Sequence, residues 1–313
     1  MVHGVYFPSF EYHLSIPGLI LLGLLVGIMT GFWGMGGRFL MTPLLNIFLD
    51  IPFNVAIGSD ICQMVGTSSM NMVRHKILGT VDFRIAWGVI LGGVLGMECG
   101  VSLLEFLKRA GDLILLGQPL RIIFLALSVI YAVLLFWIGT IVYRESKGAL
   151  VPEAGPLTDF QIGMTSKLQT IHLPPMVSLP RSGIASLSLW LVLAIGFFTG
   201  LLVGFLGVGG TFIVLPALIY ILGCPMGVAR STELLGILFL VIYGTFSHSL
   251  RGNIDLQLAV VLFLSSTLGV QIGTLSIKKF PGTELRRIFT LLVYLIVLFL
   301  ALKVLGKLGL VSI

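Results

Sequence analysis

Long apolar blocks separated by short polar breaks run along most of the 313 residues. Six of them, 16–31, 85–107, 120–143, 187–204, 256–277 and 289–304, reach or approach the roughly 20 apolar residues a helix needs to cross a bilayer core. With the shorter blocks added, five hydrophobic elements stand on each side of a polar stretch. They are predicted at 14–31, 36–49, 54–74, 84–107 and 119–143, and again at 187–204, 209–222, 228–249, 256–277 and 287–305. The second element of each set is too short, since a helix of that length spans only about 21 Å of a core of about 30 Å. It is either a tilted or thinned-zone crossing, or a half-helix that dips in and returns with its open backbone ends facing protein or water. The pattern predicts an all-α polytopic membrane protein.

The two sets are copies of one another. Gly31-Phe32-Trp33-Gly34-Met35-Gly36-Gly37-Arg38-Phe39 returns as Gly204-Phe205-Leu206-Gly207-Val208-Gly209-Gly210-Thr211-Phe212, an offset of 173 residues. The same offset, with no gap, matches Pro43 to Pro216, Pro52 to Pro225, His75 to His248, Asp82 to Asp255 and Gly100 to Gly273. Abundant leucine would not align such rare types. The chain therefore divides into a first transmembrane repeat at 1–143, a polar linker at 144–186 and a second repeat at 187–313. The linker carries five prolines, and Thr170-Ile171-His172-Leu173 suggests a short extended piece within it. Its simplest role is a tether between the halves.

Charge decides the parity of the repeat, since an odd number of crossings per half makes the halves inverted. If all ten elements cross, thirteen Lys and Arg residues collect on one side, including Arg74, Lys76, Arg144 and Lys278, and six on the other, including Lys108, Arg251 and Lys303. Without the short elements the bias disappears. The positive-inside rule then favours inverted repeats, a cytoplasmic linker and both chain ends outside.

Composition adds that 57% of residues are hydrophobic and only 10% charged, far from the roughly 25% charged residues of soluble domains. Residues 1–13 hold Glu11 but no Lys or Arg, so they lack the basic start of a signal peptide, and the first span is expected to remain in the mature protein. The net charge of +6 sits in short loops and does not point to nucleic acid. Cys62, Cys99 and Cys224 lack metal or disulfide spacing and read as packed thiols.

Candidate chemistry lies where the helices break. Gly34, Gly36 and Gly37, and again Gly207, Gly209 and Gly210, allow the chain to leave one helix and open another. They leave N–H groups at a terminus carrying partial positive charge, which suits an anion. Two such ends brought together would form one site, with Arg38 beside the first and the neutral Thr211 beside the second. Asp60 and Glu233 occupy one repeat position next to Ser59 and Thr232. They are either first-turn acids capped by those hydroxyls and Ser231, or a pair that carries a coupling ion or proton. Glu98 and Gln271 match inside Gly-x-x-x-Gly brackets, so polar groups are expected to point into the bundle. His75 and His248 end the third elements, where the simplest role is satisfying the last helix carbonyls, and Asp82 and Asp255 suit the next helix start. Neither His has a second metal ligand at helical spacing.

The doublet of Gly34-Met35-Gly36-Gly37 with Pro43, and Gly207-Val208-Gly209-Gly210 with Pro216, is each followed by a second proline, a Val-Ala pair, then His, Gly and Asp. It resembles the sulfite exporter TauE/SafE family, also described as toluene-sulfonate uptake permeases. The resemblance implies a multi-pass protein of the prokaryotic inner (cytoplasmic) membrane that moves sulfite or related organosulfonates and sulfur-containing carboxylates. It places the glycine loops and the residues after Pro52 and Pro225 along the route. Arg38 and Thr211 replace the third glycine common in that family. A secondary transporter of small anions is the expected function, with no enzyme activity and no cofactor, coupling by H⁺ or Na⁺ left open, and a homo-oligomer also left open. A passive anion channel, or a membrane enzyme or scaffold, are the other readings.

Overall fold

The computed structural model describes residues 4–7, 12–33, 37–74, 80–115, 118–146, 176–179, 184–276 and 282–310. Ten helices stand among them, five in each copy of the repeat. The first five are α1 (Ile16–Trp33), α2 (Met41–Leu49), α3 (Phe53–Arg74), α4 (Phe83–Arg109) and α5 (Ile122–Ser146). The second five are α6 (Leu189–Leu206), α7 (Thr211–Pro216), α8 (Met226–Leu250), α9 (Leu256–Ser276) and α10 (Gly282–Lys307). The helices α4, α5, α6, α8, α9 and α10 contain spans long and apolar enough to cross a membrane. The short elements are both irregular. A 3₁₀ turn at Gly37–Leu40 leads into α2, and α7 passes at Pro216 into a wider π turn at Ala217–Ile221. Pro216 lacks a backbone donor and its ring crowds the preceding turn, which weakens the regular α ladder where the wider turn takes over. The exit is shared, because Asp50 takes a left-handed φ of 53° where the second copy has Gly223 at 76°.

Among the described residues, three antiparallel strand pairs lie outside the helices, Gly4–Phe7 with Tyr12–Ser15, Asp112–Leu115 with Gln118–Arg121, and Met176–Leu179 with Ile184–Ser188. The sequence pattern did not predict them, and the strand at Gln118–Arg121 delays α5 to residue 122. The extended piece expected at 170–173 lies outside the described residues. Of the three free thiols only Cys224 is buried; Cys62 is half-buried and Cys99 is exposed on α4, contrary to the packed role expected of all three.

The chain forms two compact units, and each draws on both copies of the repeat. The first holds Met1–Asp60, Leu104–Gly155 and Asn253–Ile313; the second holds Ile61–Leu103 and Pro156–Gly252.

Within the first unit α1 runs parallel to α9 along a seam of small residues. A Cβ added at Gly23 would meet Ser265, at Gly27 the backbone of Ser266, and at Gly31 the backbone of Val270 and Gly273. Without side chains there, the two backbones touch. Helix α2 and the 3₁₀ turn before it run parallel to α10, with Phe39 of the turn against Phe289 and Phe48 of α2 against Phe299, each pair with ring centroids 6.0 Å apart. Helix α5 runs antiparallel to α10: Lys307 Nζ sits 4.2 Å from the Phe124 ring centroid at one end, and the Thr140 and Tyr294 hydroxyls are 3.2 Å apart further along.

Within the second unit α4 lies parallel to both α6 and α8. Its seam with α6 repeats the first one at the same offset. Gly196, Gly200 and Gly204 face the backbone from Val89 to Met97, and Gly92, Gly96 and Gly100 face the backbone from Leu193 to Phe205. Thus the first helix of each copy packs on the fourth helix of the other.

Candidate functional site

The third helix of each copy carries the buried acids. Asp60 is 0% exposed in α3 and Glu233 is 1% exposed in α8. Each lies seven residues after its helix begins, about 10 Å in, so neither is a first-turn acid as one reading of the sequence held. The hydroxyls beside them do not cap their own helices either. Ser59 Oγ accepts the backbone N–H of Asp255 at 2.9 Å in the first unit. Thr232 Oγ1 accepts that of Asp82 at 3.0 Å in the second. Asp255 and Asp82 cap as expected, accepting the N–H of Leu258 at 3.0 Å and of Arg84 at 3.2 Å. Ser231 pairs with the Thr80 hydroxyl at 2.6 Å. Each acid therefore stands one residue beyond the point where its helix ties down the fourth helix of the other copy. In the first unit Asp60 is within electrostatic reach of the wholly buried Tyr131, which stacks on Phe53 at 5.6 Å.

The second glycine loop is described completely. Gly207 caps α6 in a left-handed conformation, φ 65°, and donates its N–H to Val203 O. Residues 207–210 are buried although they belong to no helix, and Thr211, half-buried, opens α7. Gly210 fills a tight space, since a Cβ there would collide with Ile237 and lie 3.0 Å from Thr199 Cγ2. Of the first loop, Gly34 and Gly36 lie outside the described residues. Gly37 begins the 3₁₀ turn, and Arg38 beside it is half-buried and engaged by its surroundings.

His248 is 0% exposed, and its Nε2 donates to Gly204 O at 3.1 Å. It holds the end of α6, where the glycine loop begins, rather than the last carbonyls of its own helix. His75 lies outside the described residues. Glu98 points from α4 to α8. Its Oε1 pairs with Arg251, while its Oε2 accepts from Ser247 Oγ at 2.7 Å and Tyr243 OH at 3.2 Å. Gln271, its repeat counterpart, is half-buried in α9. Arg251 is the functional candidate that sequence reasoning missed. Its only signal was a basic residue one position past a helix end.

Comparison with known proteins matches residues 19–300 to the family model described as sulfite exporter TauE/SafE. A probable membrane transporter protein of Xylella fastidiosa (strain 9a5c) is 26% identical over 280 residues, 88% of this chain and 91% of the relative. The probable membrane transporter protein YunE of Bacillus subtilis is 21% identical, covering 90% and 96%. The probable membrane transporter protein MJ0441 of Methanocaldococcus jannaschii is 27% identical over a shorter stretch, 55% of this chain and 65% of the relative. No solved structure matches.

Proposed function

The chain belongs to the sulfite exporter TauE/SafE family, and from that premise we propose that it is a secondary transporter of a small oxyanion in the prokaryotic cytoplasmic membrane. Its substrate class is sulfite or an organosulfonate or sulfur-containing carboxylate. The observation that carries the reading is the non-helical stretch Gly207-Val208-Gly209-Gly210, buried within a chain of membrane-crossing helices. Irregular backbone at membrane depth is tolerated where it is packed in protein or lines a cavity, and glycine N–H groups at a helix opening favour an anion. The first loop, with Arg38, supplies the same chemistry in the other copy. Asp60, Glu233 and Glu98 are the acids available for coupling to H⁺ or Na⁺, because ionisable groups inside membrane helices are costly and are kept for such work.

The repeat is inverted in this reading. Helix α9 begins beside Ser59, near the start of α3, and must run along α3's direction to stay in the bilayer. Since α1 parallels α9, α1 and α3 point the same way, and α2 has to carry the chain back across. Its parallel contact with α10 supports that return. With α7 assigned the same course by the repeat, each copy has five crossings in this reading.

Binding of sulfite, sulfate and methanesulfonate to the purified, monodisperse protein tests the anion site. Arg38→Ala is expected to weaken binding by about 10- to 150-fold, the loss of a charge-assisted hydrogen bond, with Arg38→Lys recovering part of it. Wild-type affinity of Arg38→Ala for every anion would remove Arg38 from the site.

A further inference from the structure

Arg251 lies in a ring of polar groups contributed by α4, by α8 and by the turn after it. Its Nη2 pairs with Glu98 Oε1 and donates to Ser102 Oγ at 3.3 Å, while its Nη1 donates to Ser247 O at 3.1 Å and to Ser247 Oγ at 2.6 Å. Ser247 Oγ in turn donates a hydrogen bond to Glu98 Oε2 at 2.7 Å. Resting on the anion-transport reading, we propose that Arg251 is an oxyanion subsite held by the protein's own Glu98 carboxylate, which an incoming anion displaces as Glu98 takes up one proton.

The chemistry of the occupant identifies the ligand class. A carboxylate, a sulfite and a sulfonate all present oxygens that a guanidinium fork can grip in pairs. The protein itself does not seal the pair, since 42% of the Glu98 side chain and 22% of the Arg251 side chain are left uncovered. The surrounding donors are hydroxyls of Ser247, Ser102 and Tyr243, which rotate to serve a carboxylate, a carboxylic acid or a bound anion. Charge balance supplies the proton. Arg251 and Glu98 are neutral together, and an arriving anion would leave two negative charges on one cation in a weakly screening environment. For a monoanion such as a sulfonate, one proton on Glu98 restores neutrality, so one monoanion and one proton load together.

The device is built once, since the repeat counterparts of Glu98 and Arg251 are Gln271 and Leu78. It also adjoins the glycine loop. Ser247 is followed by His248, which holds Gly204, so a rearrangement of the ring acts one residue from the loop's anchor. Among the described residues, the titratable groups facing Glu98 are Tyr243, His248 and Arg251 from α8 and its turn. Helix α6 contributes none, and Glu105 further along α4 is engaged with Lys108 and Arg109.

The test measures proton uptake and binding together, in weak buffer with a pH indicator, on the purified full chain. Sulfate and methanesulfonate are the probes, because both are fully ionised near neutral pH. Wild type should take up about one proton per methanesulfonate bound, and Glu98→Gln should take up none while binding at least as tightly. Arg251→Ala should bind about 10- to 100-fold more weakly. The Glu98→Gln, Arg251→Ala double variant, which buries no unpaired charge, should match Arg251→Ala. Unchanged proton uptake in Glu98→Gln, or wild-type affinity in Arg251→Ala, overturns the inference while leaving anion transport standing. Failure of every variant and of wild type to bind either anion overturns both.

Discussion

Gly200 shows what single residues contribute to this fold. A Cβ there would strike the backbone of Gly93, which cannot swing aside as a side chain would. Gly200→Ala is expected to destabilise by about 1–3 kcal/mol, the usual penalty of overpacking, whereas Gly227→Ala, with nothing within 4 Å of the new methyl, should be neutral or gain up to about 1 kcal/mol. Thermal unfolding in detergent separates the two. Thr232→Val keeps the shape but strands the buried Asp82 N–H, and should cost about 1–3 kcal/mol in the same assay. Equivalence of Ser59 with Thr232, and of Asp82 with Asp255, was readable from the 173-residue offset. That each hydroxyl serves the other copy's aspartate was not, because contacts 150 and 196 residues apart leave no local pattern. The Glu98–Arg251 pair was hidden for the same reason.

Element boundaries followed from apolar length to within about three residues for most long helices, since hydrophobic blocks ending at Pro52, Gly79, Pro225 or Gly252 leave little freedom. The strand pairs escaped because strands of four or five residues between membrane helices carry too few alternations to register. The short elements were found, but their direction was not, since a helix of that length fits a crossing or a dip equally well. Cysteine labelling in intact cells distinguishes these cases. If α2 and α7 cross, Ile114→Cys, after α4, and Leu250→Cys, at the end of α8, react from the same face. If the short elements dip and return, the two cysteines react from opposite faces.

At the scale of the whole molecule, a duplicated membrane unit has exchanged its helices. The fourth helix of each copy is held by a glycine seam to the other copy's first helix and by a hydroxyl to its third. Such reciprocal packing means that neither copy of the repeat is a compact body by itself, and the sequence offset alone gave no hint of it. A secondary active transporter, as proposed here, needs coupling to a driving ion, and the buried acids and the Glu98–Arg251 pair are placed for that in this reading. Concentrative sulfite flux in proteoliposomes tests this most directly, with H⁺ and Na⁺ gradients imposed separately. Anion accumulation above the external concentration is predicted under one of the two gradients. It should vanish when that gradient is collapsed and fall strongly in Gly207→Val, which forces a branched residue into a left-handed conformation. Flux that only dissipates the anion's own gradient, indifferent to H⁺ and Na⁺, would contradict a secondary transporter and leave a passive channel in its place.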